Sequence, residues 1–518
     1  MNLPPFRNEP YTDFAKPENA AKMRAALERV RAQLGREYSL IIAGERVETP
    51  DKLTSVNPAR PAEIVGVHSK ATAALASRAV EAAHANFARW SRTPARERVE
   101  MLIRMAALIR ERKYDFNAWL IFEAGKTWIE AEAEAAEAID FCEYYAREML
   151  RLSAPPEMVQ MPGERDDFRY LALGAGIIIP PWNFSLAILC GMSVAALVTG
   201  NTIVIKPSSE TPTIAAIFAQ TLLEAGFPPQ SFSFLPGSGS AVGDVLVEHP
   251  KTRFVSFTGS RDVGLRINEL AARPRKGQIW IKRIVAEMGG KDAIIVDDDC
   301  DLDAAVEGVT VSAFGYQGQK CSACSRAIVH ERVYDAFLEK LKARAGKIRT
   351  GPPEDPQYYM GPVISAGAKK SILSYIEVGK AEGDVIVGGG DVPAAGHYIA
   401  PTIIANVDSM ARVFQEEIFG PVLTVARARD FDHALALGND SPYGLTGAVY
   451  SRNAAHVERA REEFFVGNLY INRKCTGAMV GSHPFGGFHM SGTDSKAGGP
   501  DYLLLFVQGK SIAERLVN

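Results

Sequence analysis

The stretch that decides the fold is YLALGAGIIIPPWNFSLAILCGMSVAALVTGNTIVI, residues 170–205, which contains no charged side chain. Its length would suit a membrane span, but the sequence PPWN at 180–183 interrupts it. The remaining parts predict an apolar strand over 171–179, a helix over 185–199 and an apolar strand over 202–205. Strands without a polar face are typical of a parallel sheet covered on both faces, so this stretch predicts a β-α-β crossover.

Helical patterns dominate the chain before this stretch. Residues 20–38 predict one amphipathic helix, and residues 71–152 predict several more. Within the second region, Glu130, Glu134 and Glu137 fall on one helical face. We expect these three carboxylates to be solvated, because charge runs of this kind usually face water.

Short apolar segments alternate with helix-length stretches through 168–296 and again through 311–470. This alternation predicts two open, mostly parallel α/β sheets, with a boundary near Gly289-Gly290. The apolar run 502–507 is suited to pairing with a sheet edge or a second subunit. The predicted strands are 177–179, 203–205, 232–235, 254–257 and 293–296 in the first series, and 327–329, 385–387, 422–425, 448–450 and 467–471 in the second.

The composition is that of an ordinary folded protein without a dominant charge. The chain has 518 residues, of which 47% are hydrophobic and 23% charged, with a net charge of −3 and a pI near 6.4. These values argue against disorder and against a general attraction to nucleic acid or acidic lipid. The six cysteines show no disulfide-framework spacing, and residues 1–14 lack a secretory pattern, so a cytoplasmic location is expected.

Two short motifs are rejected because their surroundings do not fit. Gly125-Lys126-Thr127 is similar to the end of a phosphate-binding loop, but Leu120 stands where that loop requires its first glycine. Cys321 and Cys324 have C-x-x-C spacing without a second pair of cysteines or histidines nearby. No metal site is therefore predicted.

Two polar segments follow predicted strands, at the edge where α/β sheets bind ligands. Asn183 follows the first strand, and its side-chain amide is suited to donate to a developing oxyanion. Gly259 and Ser260 precede a predicted helix, whose first N–H groups suit a phosphate. Taken singly, an Asn in a turn and a Ser at a helix start are more often structural.

A carboxylate and a thiol complete the candidate set. Glu287 precedes Gly289-Gly290, which permit a bent backbone, and a carboxylate there is suited to activate water. Cys321 follows a glycine-rich segment and Lys320, so we expect a lowered thiol pKa and a role as nucleophile. Taken singly, the segment around Gly289-Gly290 is typical of a turn, and a lone cysteine is more often inert and buried.

Together these segments resemble the aldehyde dehydrogenase superfamily from residue 41 to about 506. The matching segments stand in the family's order: NPA 57–59, PWNF 181–184, KPS 206–208, FTGS 257–260, EMGGK 287–291, GQKC 318–321, EEIFGPV 416–422 and PFGG 484–487. The resemblance implies an α/β fold with two open, mostly parallel sheet domains and a small β oligomerisation extension. It assigns 1–152 and 168–288 to a dinucleotide-binding domain, 289–475 to a catalytic domain, and 153–167 and 495–518 to the extension.

Four further segments are most similar to one branch of this superfamily: PFRNEP 5–10, FCEYY 141–145, YQGQKCS 316–322 and GNLYINRKCTGA 467–478. That branch oxidises L-glutamate γ-semialdehyde, which equilibrates with 1-pyrroline-5-carboxylate, to L-glutamate in the second step of proline catabolism. The resemblance implies that Cys321 attacks the aldehyde, while the Asn183 amide and the Cys321 N–H hold the oxyanion. Hydride transfer to NAD would leave a thioester, and Glu287 would activate the water that hydrolyses it.

The resemblance also implies where cofactor and substrate lie. The cofactor-binding residues would be Lys206, Ser208, Ser209, Gly259, Ser260, Glu417 and Phe419. Many relatives carry Glu where Ser209 stands, with Glu210 here one position late, so NADP is expected to be tolerated besides NAD. The substrate-binding residues would be Glu137, Phe184, Lys320, Ser322, Gly477, Ala478 and Phe485, with the two phenylalanines enclosing the aliphatic stem.

Other activities stay open at this point. One alternative is another NAD(P)-dependent, non-acylating aldehyde dehydrogenase, such as one acting on succinate semialdehyde. A non-catalytic protein on the same scaffold would not need Cys321, Asn183 and Glu287 together, and an acyl-CoA-forming relative would typically lack Glu287. The expected partners are a small aldehyde and further copies of the chain in a homo-oligomer built from dimers, without nucleic acid or membrane.

Overall fold

The computed structural model describes residues 3–516. The predicted domain ends at residues 1–2 and 517–518 lie outside this range. The helices are α1 (Pro17–Arg31), α2 (Ala73–Trp90), α3 (Ala95–Glu111), α4 (Lys113–Ala124), α5 (Trp128–Ser153), α6 (Ala187–Val198), α7 (Pro212–Glu224), α8 (Asp244–Glu248), α9 (Arg261–Ala272), α10 (Leu302–Phe314), α11 (Glu331–Ala345), α12 (Ala366–Glu382), α13 (Arg412–Gln415), α14 (Phe431–Asn439) and α15 (Ala454–Glu463).

The strands range from two to ten residues. They are β1 (Arg36–Tyr38), β2 (Leu40–Ile42), β3 (Glu45–Val47), β4 (Lys52–Asn57), β5 (Arg60–Ser69), β6 (Glu164–Ala172), β7 (Ala175–Ile179), β8 (Thr202–Ile205), β9 (Phe232–Phe234), β10 (Phe254–Thr258), β11 (Arg283–Glu287), β12 (Asp292–Val296), β13 (Cys324–His330), β14 (Asp384–Val387), β15 (Thr402–Ala405), β16 (Val422–Ala428), β17 (Tyr443–Gly444), β18 (Thr446–Tyr450), β19 (Asn468–Ile471), β20 (Phe488–His489) and β21 (Val507–Arg515).

The first large sheet contains the stretch that opened the sequence analysis. Its strand order is β11-β10-β7-β8-β9-β2-β3, and β7, α6 and β8 form the predicted parallel crossover. Only β2 and β3 run antiparallel to their neighbours. Ile177 and Ile178 belong to apolar clusters on opposite faces of this sheet, which explains why β7 has no polar face.

The second large sheet has the order β14-β15-β16-β13-β12-β18-β19, with all pairs parallel except β14 with β15. Two open, mostly parallel α/β sheets are therefore confirmed. The predicted strand 293–296, placed in the first series, belongs instead to this sheet as β12. The chain passes from one sheet to the other between Glu287 and Asp292, around the paired glycines. The functional labels of the domains stay predictions.

The strand predicted over 171–179 is wrong in its boundaries, since β6 ends at Ala172 and β7 begins at Ala175. Gly174 between them has φ of 150°, which turns the chain out of the sheet. β6 then pairs antiparallel with β21 instead of joining either large sheet. A continuous apolar pattern could not reveal this break, because both strands contribute apolar residues to it.

Two further sequence predictions need correction. The run 502–507 forms a short 3₁₀ helix over Tyr502–Phe506 instead of an edge strand, because its aromatic rings are buried in the first sheet's core. The helix predicted over 20–38 ends at Arg31, and 36–38 forms β1 beside β5. Among residues 3–516, no helix is both long and apolar enough to cross a membrane.

Candidate active site

A cavity of about 280 Å³ lies between the two large sheets and contains most of the predicted site. Its walls come from the segment before α1, from α5 and α6, from the ends of β10 and β11, and from the loop that follows β19. The structure brings together, along this lining, Glu137, Phe184, Glu287, Lys320, Cys321, Ser322, Gly477, Ala478 and Phe485. Their individual roles stay predictions.

Cys321 lies at the end of a strained loop between α10 and β13. Tyr316 and Gln317 both adopt positive φ, at 50° and 55°, and such non-glycine residues need surrounding support. The Gln317 amide provides it by donating to the Pro362 carbonyl at 2.8 Å. Gly318 is required because a Cβ there would lie 2.2 Å from the Gly420 carbonyl oxygen. The glycine-rich segment therefore directs the chain to Cys321.

The pKa of the Cys321 thiol is raised, which contradicts the lowered pKa predicted from sequence. Burial is the main cause, and the carboxylates of Asp292 and Glu287 add to it. The neighbouring Lys320 does not compensate, because its ammonium lies 2.8 Å from a carboxylate oxygen of Glu130. The positive charge of Lys320 is thus already paired with Glu130, another residue of the cavity lining.

Asn183 lies beside the loop that carries Cys321. Its side-chain nitrogen donates a hydrogen bond to the Gln319 carbonyl at 3.1 Å, and the residue is buried. Asn183 follows β7 at the carboxyl end of the first sheet. Its hydrogen-bond partner, Gln319, precedes Cys321 by two residues in the chain. This placement fits an amide that donates to an oxyanion on the Cys321 adduct.

Glu287 ends β11 and is held by three hydrogen bonds. Its carboxylate accepts from the Ser495 hydroxyl at 2.5 Å, from the Ser495 N–H at 3.2 Å and from the Gly487 N–H at 3.3 Å. Burial nevertheless raises the pKa of Glu287 to about 7. Sequence reasoning missed Ser495, because no local pattern links it to a residue so far away in the chain.

We expect turnover limited by thioester hydrolysis to rise with pH through a midpoint near 7. Glu287 accepts a proton from water only when ionised, and its pKa of about 7 leaves it protonated below that pH. Ser495→Ala should move the midpoint to higher pH, because it removes a donor that stabilises the carboxylate. Steady-state NADH formation measured across pH 7 checks this, and a wild-type profile that is flat there would contradict it.

Five of the predicted cofactor residues follow two strands of the first sheet at their carboxyl ends: Lys206, Ser208 and Ser209 after β8, and Gly259 and Ser260 after β10. Lys206 follows β8 and Ser260 precedes α9, while β7 separates β8 from β10. Burial lowers the pKa of Lys206 to about 8, and among residues 3–516 its ammonium donates only to the Pro207 carbonyl, at 3.3 Å. Ser260 makes no side-chain cap to α9, which leaves the helix N–H groups for a phosphate. Glycine is required at position 259 because the Phe257 ring packs against the backbone there, and a Cβ would lie 2.6 Å from that ring.

Glu417 and Phe419 approach the site from the second sheet. The Glu417 carboxylate accepts from the Gly290 N–H at 3.0 Å, and burial raises its pKa to about 7. A Cβ at Gly289 would lie 2.2 Å from that carboxylate, so the paired glycines make room for it. Phe419 packs edge-on against Trp182 with ring centres 5.4 Å apart. These donors, acceptors and rings fit a dinucleotide that spans both sheets.

Ser208 and Ser209 are half-buried in the loop after β8. Ser209 donates to the Gly237 carbonyl at 3.5 Å, and the Ser208 hydroxyl accepts from the Glu210 N–H at 3.3 Å. Glu210 itself is exposed. The structure thus places a hydroxyl and no carboxylate at position 209.

The three glutamates on α5 are not a solvated face, and that prediction is wrong. Glu134 is fully buried beside Lys126, Glu130 pairs with Lys320, and Glu137 lines the cavity. Burial, together with the nearby Glu134 carboxylate, raises the pKa of Glu137 to about 8. Helical periodicity alone could not reveal these partners, because they lie on other segments.

The fold and this geometry define the class of protein. The model of the aldehyde dehydrogenase family matches residues 46–512, so the chain belongs to that family, and the resemblance predicted from its motifs is confirmed.

Within the family, the chain is similar over nearly its full length to proteins named 1-pyrroline-5-carboxylate dehydrogenase. It is 56% identical over 510 residues to the 1-pyrroline-5-carboxylate dehydrogenase of Geobacillus thermodenitrificans (strain NG80-2), covering 98% of this chain and 99% of that protein. The Thermus 1-pyrroline-5-carboxylate dehydrogenase with bound NAD superposes with a TM-score of 0.98 at 51% identity, covering 99% of this chain and 100% of the other.

A longer relative contains the same fold. Proline utilization A (PutA) from Bdellovibrio bacteriovorus superposes on 100% of this chain with a TM-score of 0.98 at 42% identity, and the match spans 54% of that protein.

Proposed function

We propose that this chain is an NAD-dependent dehydrogenase that oxidises L-glutamate γ-semialdehyde, in equilibrium with 1-pyrroline-5-carboxylate, to L-glutamate. The observation that carries the proposal is the single cavity that joins Cys321 and Glu287 to groups suited to an amino acid. Full-length relatives of that name, at 52–56% identity, support the same substrate.

The ends of the substrate match the charges along the cavity. The N–H groups of Gly477 and Ala478 and the Ser322 hydroxyl bind the α-carboxylate. Glu137 pairs with the α-ammonium, which favours the ionised form of a carboxyl whose pKa is otherwise raised. Phe184 and Phe485 enclose the aliphatic stem between these groups and Cys321.

The chemistry proceeds through a covalent adduct on Cys321. The sulfur adds to the aldehyde carbon with loss of its proton to solvent, and Asn183 with the Cys321 N–H stabilises the oxyanion. NAD, when bound, supplies the hydride acceptor for that carbon. Glu287 then takes a proton from the water that attacks the Cys321 thioester, and L-glutamate is released.

Lys206 and Glu417 provide the main polar contacts to the cofactor. With NAD bound, Lys206 would contact the adenosine ribose, and Ser260 with the start of α9 would hold the pyrophosphate. Glu417 would bind the nicotinamide ribose, and Phe419 would pack near the ring. Ser208 and Ser209 line the adenosine end of the same site.

A panel of aldehydes tests the proposed activity. We expect NADH formation with 1-pyrroline-5-carboxylate to have a higher kcat/KM than with succinate semialdehyde or propanal. Succinate semialdehyde has the carboxylate but no ammonium for Glu137, and propanal has neither. Equal kcat/KM for succinate semialdehyde would overturn the substrate assignment, while absence of NADH formation with every aldehyde would overturn the activity itself.

We expect NAD⁺ to be preferred over NADP⁺ by a modest margin, with NADP⁺ usable. A carboxylate at position 209 would bind the ribose hydroxyls and repel a 2′-phosphate, and Ser209 does neither. Ser209→Glu should widen the preference by about 1–3 kcal/mol, the range of a hydrogen bond to a charged group. The ratio of kcat/KM for the two cofactors and their dissociation constants measure this. No NADP⁺ use by the wild type, or an unmoved ratio in the variant, contradicts it.

We also propose a cytoplasmic homo-oligomer built from dimers. The antiparallel pair β6–β21 lies outside both large sheets, and Val159 in the preceding segment is 89% exposed. Exposed apolar residues next to an isolated strand pair are suited to contact a second copy. All six cysteines, which lie within residues 3–516, are free thiols, as suits a reducing compartment. Light scattering on the full chain tests the assembly, and a monomeric mass would overturn it.

A further inference from the structure

Lys126 is a fully buried cation for which the proposed chemistry has no use. It stands between α4 and α5, in the Gly125-Lys126-Thr127 motif that does not form a phosphate-binding loop. Its ammonium lies 2.8 Å from a carboxylate oxygen of Glu134, and both side chains have 0% exposure. Burying two charges costs more than their attraction usually returns, so this pair calls for a reason beyond stability.

Glu134 connects the pair to the segment that follows Asn183. Its second carboxylate oxygen accepts from the Leu186 N–H at 2.7 Å and from the Ala187 N–H at 3.2 Å. These are the first N–H groups of α6, where a negative charge is favourable. Glu134 thereby holds the chain two residues after Phe184.

Lys126 contacts the two segments that flank the aldehyde site. Its ammonium lies 4.1 Å from the centre of the Phe184 ring and 4.1 Å from the centre of the Tyr316 ring. Such cation–π contacts are strongest where water is excluded. Tyr316 belongs to the strained loop before Cys321, and its hydroxyl donates to the Ala124 carbonyl at 3.0 Å.

We propose that Lys126 is a positioning residue, which orients the Phe184 ring against the substrate stem and ties that ring to the loop carrying Cys321. The inference rests on the proposed function, since it takes the substrate to lie between Phe184 and Phe485. Lys126 acts through the two rings and does not touch the substrate, because it does not belong to the cavity lining.

The first test separates positioning from stability with a pair of variants. Lys126→Met keeps the length of the stem but leaves Glu134 buried without a cation, so this variant should lose thermal stability. In Lys126→Met/Glu134→Gln both charges are gone, and the glutamine carbonyl can still accept from Leu186. We expect the double variant to recover most of the lost Tm while KM for the semialdehyde stays raised by about 5- to 30-fold, with kcat and the KM for NAD⁺ changing less. A wild-type KM in the folded double variant would overturn the proposal.

The second test changes the Phe184 ring, in the wild type and in the double variant. Phe184 is replaced by mono-, di- and trifluorinated phenylalanine, which keep the ring's shape and weaken the attraction of its face for a cation. KM for the semialdehyde should rise stepwise with fluorination in the wild-type background and stay level in the double variant. An unchanged KM across the wild-type series would overturn the proposal even if neither Lys126 variant folds.

Failure of the proposed function is visible separately. It appears as a wild-type enzyme that does not prefer the semialdehyde in the aldehyde panel. The fluorinated series is then measured with the aldehyde that the wild type oxidises best, and its KM trend decides the role of Lys126.

Discussion

Cys321→Ala is expected to reduce aldehyde oxidation by at least about 10⁴-fold, the scale on which removal of a covalent nucleophile acts. Cys321 lines the cavity together with Glu287 and the proposed substrate groups. The alanine variant should still bind NAD⁺, because the residues proposed to hold it lie at the ends of other strands. NADH formation and a dissociation constant for NAD⁺ measure the two properties separately.

Cys324→Ala is the matched control for that variant. Cys324 is buried in β13, where its thiol donates to the Arg326 carbonyl at 3.5 Å, and it does not line the cavity. We expect its loss to affect stability more than turnover. Retained oxidation in Cys321→Ala, or loss of oxidation in Cys324→Ala with the fold intact, would refute the assignment of the nucleophile.

Glu287→Gln is expected to give one burst of NADH followed by a steady state about 10²- to 10⁴-fold slower than the wild type. Thioester formation on Cys321 does not require the carboxylate, whereas hydrolysis requires a base to take the proton of water. The glutamine carbonyl can keep the hydrogen bonds from Ser495, whereas the Gly487 N–H, which donates to the other carboxylate oxygen, loses its acceptor. Since only this one hydrogen bond of 3.3 Å is lost, the fold should be preserved. Stopped-flow absorbance of NADH resolves the burst from the steady state.

The amplitude and the rate of the burst together decide between two roles for the Glu287 carboxylate. A burst close to one NADH per active site supports a role in hydrolysis alone. A burst that slows in parallel with turnover would instead mean that Glu287 also takes the proton of the Cys321 thiol, whose pKa is raised. If Glu287→Gln shows wild-type turnover and no burst, Glu287 acts neither in thioester hydrolysis nor in deprotonation of the Cys321 thiol.

Local sequence predicted much of the fold because the relevant signals are short in range. The uncharged stretch 170–205 predicted β7, α6 and β8, since burial of a parallel strand on both faces leaves no room for polar residues. The motif segments placed Asn183 and Ser260 at strand ends, where α/β sheets bind ligands. The break after Ala172 was missed, because the residues on both sides of it are apolar for different reasons.

Nine of the predicted site residues line one cavity, while their roles stay predictions, and the sequence did not predict their electrostatics. Lys320 next to Cys321 suggested a lowered thiol pKa, whereas its ammonium pairs with Glu130 on α5 and the thiol is buried near carboxylates. Ser495, which donates to Glu287, lies 208 positions away along the chain. Neither partner leaves a local pattern in the sequence.

The sequence by itself determined the alternation of strands and helices, the family and the set of candidate residues, because backbone propensity, apolar periodicity and motif spacing all act within a few residues. Only the tertiary structure decided which charges are paired and which are buried. Lys126 and Glu134 show the difference most clearly. Glu134 was expected on a solvated helix face and Lys126 belonged to a rejected motif, yet the two form one fully buried ion pair. The pKa and function of such groups depend on desolvation and on partners from distant segments, and both exist only once the chain has folded.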